Sequence, residues 1–337
     1  MIYKTGKWFY GAIRRNIGRL LGIVCVIFAA SLIHGCTKHE QQREFPKENI
    51  TMICPWVQGG GTDTILRALC EAAEPELGVE IQVVNKAGDN GAAGFQALKE
   101  AAADGYTIEM ITYELNSLAI EGLLDFSYRD IDPLMMVNSD SVALSAAADA
   151  PYDTVEELVA YARSHPGQLA VAQASSGSVG HVGAALFAKL AGIQMDFLSF
   201  EGTANAVTAV SNGYTELLSS SVAEARVELE NGKLKLLGVM DEKRSDLYPD
   251  IPTFQEQGYD ITYRTWRGLG LPKGVDSEKK EILEDAFKKA LENKEFVEEM
   301  KKRGLNITYM GRDEFEIFIE ENYEKLERDL NSLRLLQ

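Results

Sequence analysis

Pro55-Trp56-Val57-Gln58-Gly59-Gly60-Gly61-Thr62-Asp63 lies between an apolar run, Ile50-Thr51-Met52-Ile53-Cys54, and an amphipathic one, Ile65-Leu66-Arg67-Ala68-Leu69-Cys70. The order reads as strand, glycine loop, helix. Three successive glycines let the main chain turn tightly with no side chain in the way. A helix that begins near Thr62 or Asp63 turns its first unpaired N–H groups into that loop. Those donors, with the helix dipole behind them, suit an anionic group. The stretch lacks the Lys-Ser/Thr ending of a P-loop and the Gly-x-Gly-x-x-Gly spacing of a dinucleotide fold.

Outward from it, strands and helices alternate. Residues 79–84, 106–111, 169–172, 234–240 and 267–272 read as strands, and 92–103 as an alanine-rich helix. A helix over 154–164 starts at Thr154, with Glu157 completing a capping box, and stops at His165-Pro166-Gly167. Ser175-Ser176-Gly177-Ser178-Val179-Gly180-His181 is a second small-residue loop, leading into a helix over 181–191. Two charged helices, 277–293 and 312–333, close the chain with sparse apolar stripes suited to surface packing. Such alternation predicts an α/β fold of parallel sheets with helices on both faces. Ligands of such sheets sit beyond the carboxyl ends of the strands, where both loops fall. Two similar loops in two halves predict a cleft in which each lobe offers helix beginnings to one ligand.

The N-terminus reads as a secretory signal over residues 1–35. Lys4, Lys7, Arg14, Arg15 and Arg19 form a positive leader, followed by an apolar core over 20–30. Leu32-Ile33-His34-Gly35-Cys36 resembles a bacterial lipobox, with His34 the unusual member. Cys36 is then the lipid-bearing first residue of the mature chain, and residues 36–48 its polar tether. An uncleaved anchor or an ordinary cleaved signal are the alternatives. All three place the folded part outside the cytoplasm at a membrane surface.

The 337 residues carry 34 basic and 51 acidic side chains, a formal net charge of −17. Five of the basic residues belong to the leader, so the rest is more acidic still. That excludes nucleic acid and anionic headgroups as partners bound by charge. Any anion must be held by local donors. Cys54 and Cys70 read as core positions, which favours buried thiols over a disulfide. The four histidines do not cluster and no pair of cysteines has metal spacing, so no cofactor or metal is expected.

Several segments resemble the Bug-type solute receptors of tripartite tricarboxylate transporters. The family's Pro-Phe-x-Pro-Gly-Gly-x-x-Asp is similar to Pro55 through Asp63, and its Asn-x-x-Gly-x-x-Gly-x-x-Gly to Asn85 through Gly94. Asp104-Gly105-Tyr106-Thr107, the loop ending in His181, Phe200-Glu201-Gly202-Thr203-Ala204-Asn205-Ala206 and Arg244 through Thr253 resemble four further family segments in the same order. The likeness runs from about Asn49 to about Phe318.

That resemblance implies a two-lobed, flytrap-like periplasmic-binding-protein fold, each lobe a sheet flanked by helices. Lobe 1 is 49–141 plus 263–337, and lobe 2 is 142–262. It implies a small carboxylate held by Gly59, Gly60, Gly61 and Thr62 from one lobe. Ser175, Ser176, Gly177 and Ser178, with Gly202 and Thr203 adjacent, hold it from the other. It also implies membrane transporter subunits as partners and a monomeric receptor. Trp56 and Gln58 replace the family's usual Phe and Pro, which changes the ligand that fits, and Glu201 replaces its Lys or Arg, which argues against a highly charged ligand such as citrate. Duller roles stand beside these: Asp63 caps its helix, His181 packs a helix start, and Trp56 fills a lobe core. Glu114 and Asn116 follow a strand and are further cleft candidates. A sensor of the same fold is a competing reading. A secreted α/β enzyme is a weaker one, because no Gly-x-Ser-x-Gly elbow surrounds Ser178.

Overall fold

The computed structural model describes residues 45–333. The predicted signal, Cys36 and most of the tether lie outside the described residues. All elements belong to one compact unit, Pro46–Gln337. Strand β1 (Ile50–Cys54) leads through the glycine loop into α1 (Gly61–Leu77). On either side of β1, and parallel to it, run β2 (Ile81–Asn85) and β3 (Thr107–Thr112). Helix α2 (Ala92–Lys99) joins those two, and α3 (Glu114–Ile120) follows β3.

The 17-residue strand β4 (Ile131–Ala147) carries the chain across. Beyond it come α4 (Val155–Ser164), β5 (Ala170–Gln173), α5 (Val179–Ala191), β6 (Asp196–Ser199) and α6 (Thr203–Ser211). After these come β7 (Leu217–Ser221), α7 (Val222–Glu230) and β8 (Leu234–Val239). The chain returns along β9 (Arg264–Pro272) and ends in α8 (Ser277–Leu291), α9 (Lys294–Arg303), β10 (Ile307–Met310) and α10 (Arg312–Leu333).

The strand order is β2-β1-β3-β9-β4-β7-β5-β6, with β8 and β10 also paired to β4. From Ile131 to Ser141, β4 pairs antiparallel with β9. From Val142 onward it pairs antiparallel with β7 and β8. One strand therefore belongs to both halves of the sheet and changes partners at Ser141/Val142. This corrects the expectation of purely parallel sheets: β1, β2 and β3 are parallel, as are β5, β6 and β7, but β4 and β9 run against their neighbours. Strand β4 is buried along nearly its whole length, so it shows no alternation of apolar and polar residues. Its Asn138 and Asp140 resemble loop residues in sequence but are buried here.

The closing helices also differ from expectation. The predicted helix over 277–293 is α8, ending at Leu291, and an unpredicted helix follows: Asn293 caps α9, its Oδ1 accepting from Glu295 N at 2.9 Å and Phe296 N at 3.2 Å. At α4, Thr154 caps as predicted, but the Glu157 carboxylate accepts from Asp153 N at 2.7 Å, one residue before the capping-box position. Helix α10 uses its stripe fully: Phe315, Ile319, Leu326 and Leu330 are buried. Phe315 and Phe318 meet Trp266 of β9 edge-on, with ring centroids at 5.7 and 6.0 Å. Trp266 Nε1 donates to Asn322 Oδ1 at 3.3 Å, so a fully buried indole keeps its polar tip satisfied. Truncating Phe315 would open a cavity here, a change that costs about 3–5 kcal/mol in a core. Asn116 donates to Ile319 O and Asn322 Oδ1, tying α3 to α10.

Candidate functional site

Side chains behind the β1–α1 loop shape it. Gly59 has φ +80°, a conformation glycine adopts without strain, and its N–H donates to Asp63 Oδ2 at 2.9 Å. Asp63 is 1% exposed and also accepts from Arg67 Nε at 3.0 Å and Asn85 Nδ2 at 2.7 Å. Burial works against its charged form, but the bonds from Arg67, Gly59 and Asn85 outweigh it and hold the carboxyl below its ordinary range. Asn85 donates as well to Trp56 O at 2.9 Å, and its Oδ1 accepts from Arg67 Nη2 at 2.9 Å. Asp63 thus spends its oxygens on the loop itself.

Gly60 N donates to Val57 O at 3.2 Å, and no side chain caps α1. The amides of Gly61, Thr62 and Asp63 have no partner among the described residues. They are the donors an α-helix leaves free at its start. Trp56 is half-buried, and Val57 and Gln58 are exposed.

The motif Asn85 through Gly94 packs against this loop. Gly88 and Gly91 have positive φ, as do the intervening Asp89 and Asn90. A Cβ on Gly94 would lie 2.6 Å from Pro55 Cβ and would overlap the Glu109 carboxyl. Close approach of α2 to β1 therefore requires glycine at 94.

The β5–α5 loop is built differently. Ser178 caps α5: its Oγ accepts from His181 N at 3.3 Å and donates to Gln173 Oε1 at 3.0 Å. Gln173 Nε2 donates in turn to Ser199 Oγ at 2.6 Å. Gly177 N donates to His181 Nδ1 at 3.1 Å, so that nitrogen is the acceptor. Burial holds the imidazole below its usual pKa, in the neutral form this bond needs. His181 and Ser178 thereby support the loop, while Ser176 is exposed and Ser175 half-buried. Gly177 has φ +72°, and a Cβ there would overlap the carboxylate of Glu121 at the end of α3. Gly202, at φ +84°, precedes Thr203 at the start of α6, which no side chain caps.

A buried polar group stands beside the first loop that the sequence reading did not single out. Arg267 of β9 pairs with Thr112 of β3 and Asn138 of β4. Its Nε donates to Thr62 Oγ1 at 3.1 Å and its Nη1 to Asn138 Oδ1 at 2.7 Å. Asn138 donates to Asp140 Oδ2 at 2.9 Å. Burial pushes the Glu114 carboxyl up, against the Thr112 hydroxyl that donates to it at 2.5 Å and the charge of Arg267. Burial likewise pushes Asp140 up, against its bonds from Asn306 and Asn138. The available signal was one arginine inside the otherwise apolar run from Trp266 to Leu271.

At the strand crossing, Arg264 donates to Ser139 and to Asp241. A polar cavity of about 350 Å3 opens beside it, lined by residues including Asp140, Asp241, Arg264 and Asn306 but none from either loop. Cys54 and Cys70 are buried free thiols, and burial pushes Cys54 up to about 11. Among the described residues no cluster of ligating side chains could hold a metal, and no helix is long and apolar enough to cross a membrane.

Residues 65–335 match the description "Tripartite tricarboxylate transporter family receptor" (TctC). BugT of Bordetella pertussis is 27% identical, over 92% of this chain and 96% of its own length. A TctC solute-binding protein from Polaromonas is 30% identical, with TM-score 0.74, covering 86% of this chain and 99% of that one. MatC of Rhodopseudomonas palustris, solved with bound malate, is 25% identical, with TM-score 0.75, covering 85% of this chain and all of its own. With two crossing strands, a sheet flanked by helices and these relatives, the chain has the periplasmic-binding-protein fold and belongs to the tripartite tricarboxylate transporter receptor family.

Proposed function

We propose that the chain is an extracytoplasmic receptor, anchored through lipid on Cys36, that captures a small carboxylate and delivers it to transporter subunits in the membrane. Lobe 1 is 49–141 with 263–337, and lobe 2 is 142–262. The partner change of β4 at Ser141/Val142 and the start of β9 at Arg264 support hinges at those boundaries. The ligand bridges the lobes and so favours the closed state, which is the basis of a receptor's signal to its transporter. No chemical step is required, and the protein works as a monomeric binder without a cofactor.

The observation that carries this reading is the set of unspent amides at Gly61, Thr62 and Asp63, held open by the Asp63–Asn85–Arg67 network. Ser175 and Ser176 of the second loop and Thr203 at the α6 start supply the opposing donors, since the amides of Gly177, Ser178 and Gly202 already donate to His181 Nδ1, Ser175 O and Phe200 O. Malate bound to MatC supports a compact carboxylate as the ligand class. The test is a thermal-shift panel of acetate, benzoate, succinate, malate, glutarate, adipate and citrate, followed by calorimetry of the hits. A hit among the mono- or dicarboxylates, recovered chemically unchanged, is expected. Shifts produced only by sugars or cations would sink the carboxylate reading, and turnover of the hit would sink the receptor reading.

A further inference from the structure

We infer that Arg267 is the charged contact of the ligand: its free guanidinium nitrogen completes, with the α1 amides, a site for one carboxylate. The inference rests on the proposed function above and deepens it, since no comparison assigns a role to this arginine. Arg267 is 9% exposed, on a central strand of an acidic chain. Buried guanidinium groups are ordinarily matched by a carboxylate. Arg267 makes no ion pair among the described residues. Its bonds go to two neutral oxygens, Thr62 Oγ1 and Asn138 Oδ1. Glu114 and Asp140 feel its charge without pairing to it: Glu114 bonds to Thr112, and Asp140 to Asn138 and Asn306.

The direction of the free donor follows from guanidinium geometry. Nε and Nη2 share one edge of the planar fork and send N–H bonds the same way. The Nε bond ends on Thr62, in the first turn of α1. Nη2, without a partner among the described residues, therefore faces the same helix start. The amides of Gly61, Thr62 and Asp63 present partial positive charge there, and the guanidinium adds a full, delocalised one. A carboxylate in that corner meets a planar, charge-assisted donor together with main-chain N–H groups. This accounts for anion capture by a protein whose net charge repels anions. It also casts Thr62 and Asn138 as positioning residues that fix the fork.

Calorimetry of Arg267→Gln against the tightest binder of the carboxylate panel tests this, with the ligand-free melting temperature read alongside. Affinity is expected to fall about 10- to 100-fold, the loss typical of one charged hydrogen bond. If R267Q does not fold, Arg267→Lys carries the test. It keeps the charge but loses the fork, and is expected to bind at least about fivefold more weakly with a near-normal melting temperature. Unchanged affinity in a folded variant, with the wild type binding well, overturns the role of Arg267 alone. A wild type that binds no carboxylate overturns the receptor reading and this inference together.

Discussion

Asn85 Nδ2 lies 2.7 Å from Asp63 Oδ1, joining the end of β2 to the first turn of α1. Two sequence motifs, joined here by side chains 22 residues apart, are one device in space. The asparagine fixes the carboxylate, and the carboxylate pins Gly59 N.

Removing that link should loosen the loop before it unfolds the protein. Asn85→Ala deletes the bonds to Asp63, Trp56 and Arg67, and should cost about 1–3 kcal/mol of stability. The folded Asp63 pKa is lowered, so its contribution is present above the unfolded value of about 3.9 and is lost as pH falls through the folded one. Urea midpoints measured from pH 7 down to pH 3 should therefore converge between wild type and Asp63→Asn. Parallel curves would show that Asp63 is not the acid-sensitive group.

Glu109 should have the opposite pH signature. It is fully buried on β3, and neither carboxyl oxygen has a partner among the described residues. Burial raises its pKa well above the ordinary value, with Lys86 opposing weakly. The native state then holds a proton that the unfolded chain releases above about pH 4.3. Its contribution to stability falls as pH rises from there toward the folded pKa. Glu109→Leu should remove that slope and add about 1–3 kcal/mol at pH 8 relative to wild type. Equal urea midpoints for the two proteins at pH 8 would contradict this.

Two glycines of the first site should separate binding from folding. A Cβ at Gly61 meets nothing within 4 Å, so Gly61→Val should fold normally while filling the space before the α1 amides. Loss of carboxylate binding with a melting temperature within about 2 °C of wild type is expected, because the change touches no packed neighbour. Gly94→Ala meets Pro55 at 2.6 Å and should cost about 1–3 kcal/mol through overpacking. Full binding by Gly61→Val would place the ligand elsewhere.

Glu121 should act against the ligand. Its carboxylate rests on Gly177, beside the start of α5, and burial pushes its pKa up. Glu121→Gln removes a like charge from the second loop. Affinity for the best carboxylate should rise about fivefold, the equivalent of roughly 1 kcal/mol in a solvated cleft. An unchanged dissociation constant would mean that Glu121 swings clear when the ligand enters.

Much of the architecture was legible in the chain. The first loop declared itself because three glycines between an apolar and an amphipathic run have few other uses. Thr154 read as a helix cap because a small hydroxyl before a helical pattern bonds locally, whereas Ser178 read as a ligand-holding hydroxyl and its capping of α5 came only from the structure. Strand β4 was not legible. A strand buried on both faces has no periodicity, and Asn138 and Asp140 imitate a turn until their partners come from β9 and residue 306. Arg267 was hidden for the same reason: its meaning depends on Thr62, 205 residues away.

By itself the sequence determined the alternation of strands and helices, the two small-residue loops and the acidic character that rules out capture by net charge. Those are local or summed properties, set by propensity, turn chemistry and composition. Only the tertiary structure decided which loop amides are already spent, which carboxylates are structural and where a buried cation stands without a counter-ion among the described residues. Such facts depend on contacts between residues far apart in the chain, and desolvation makes each of them count.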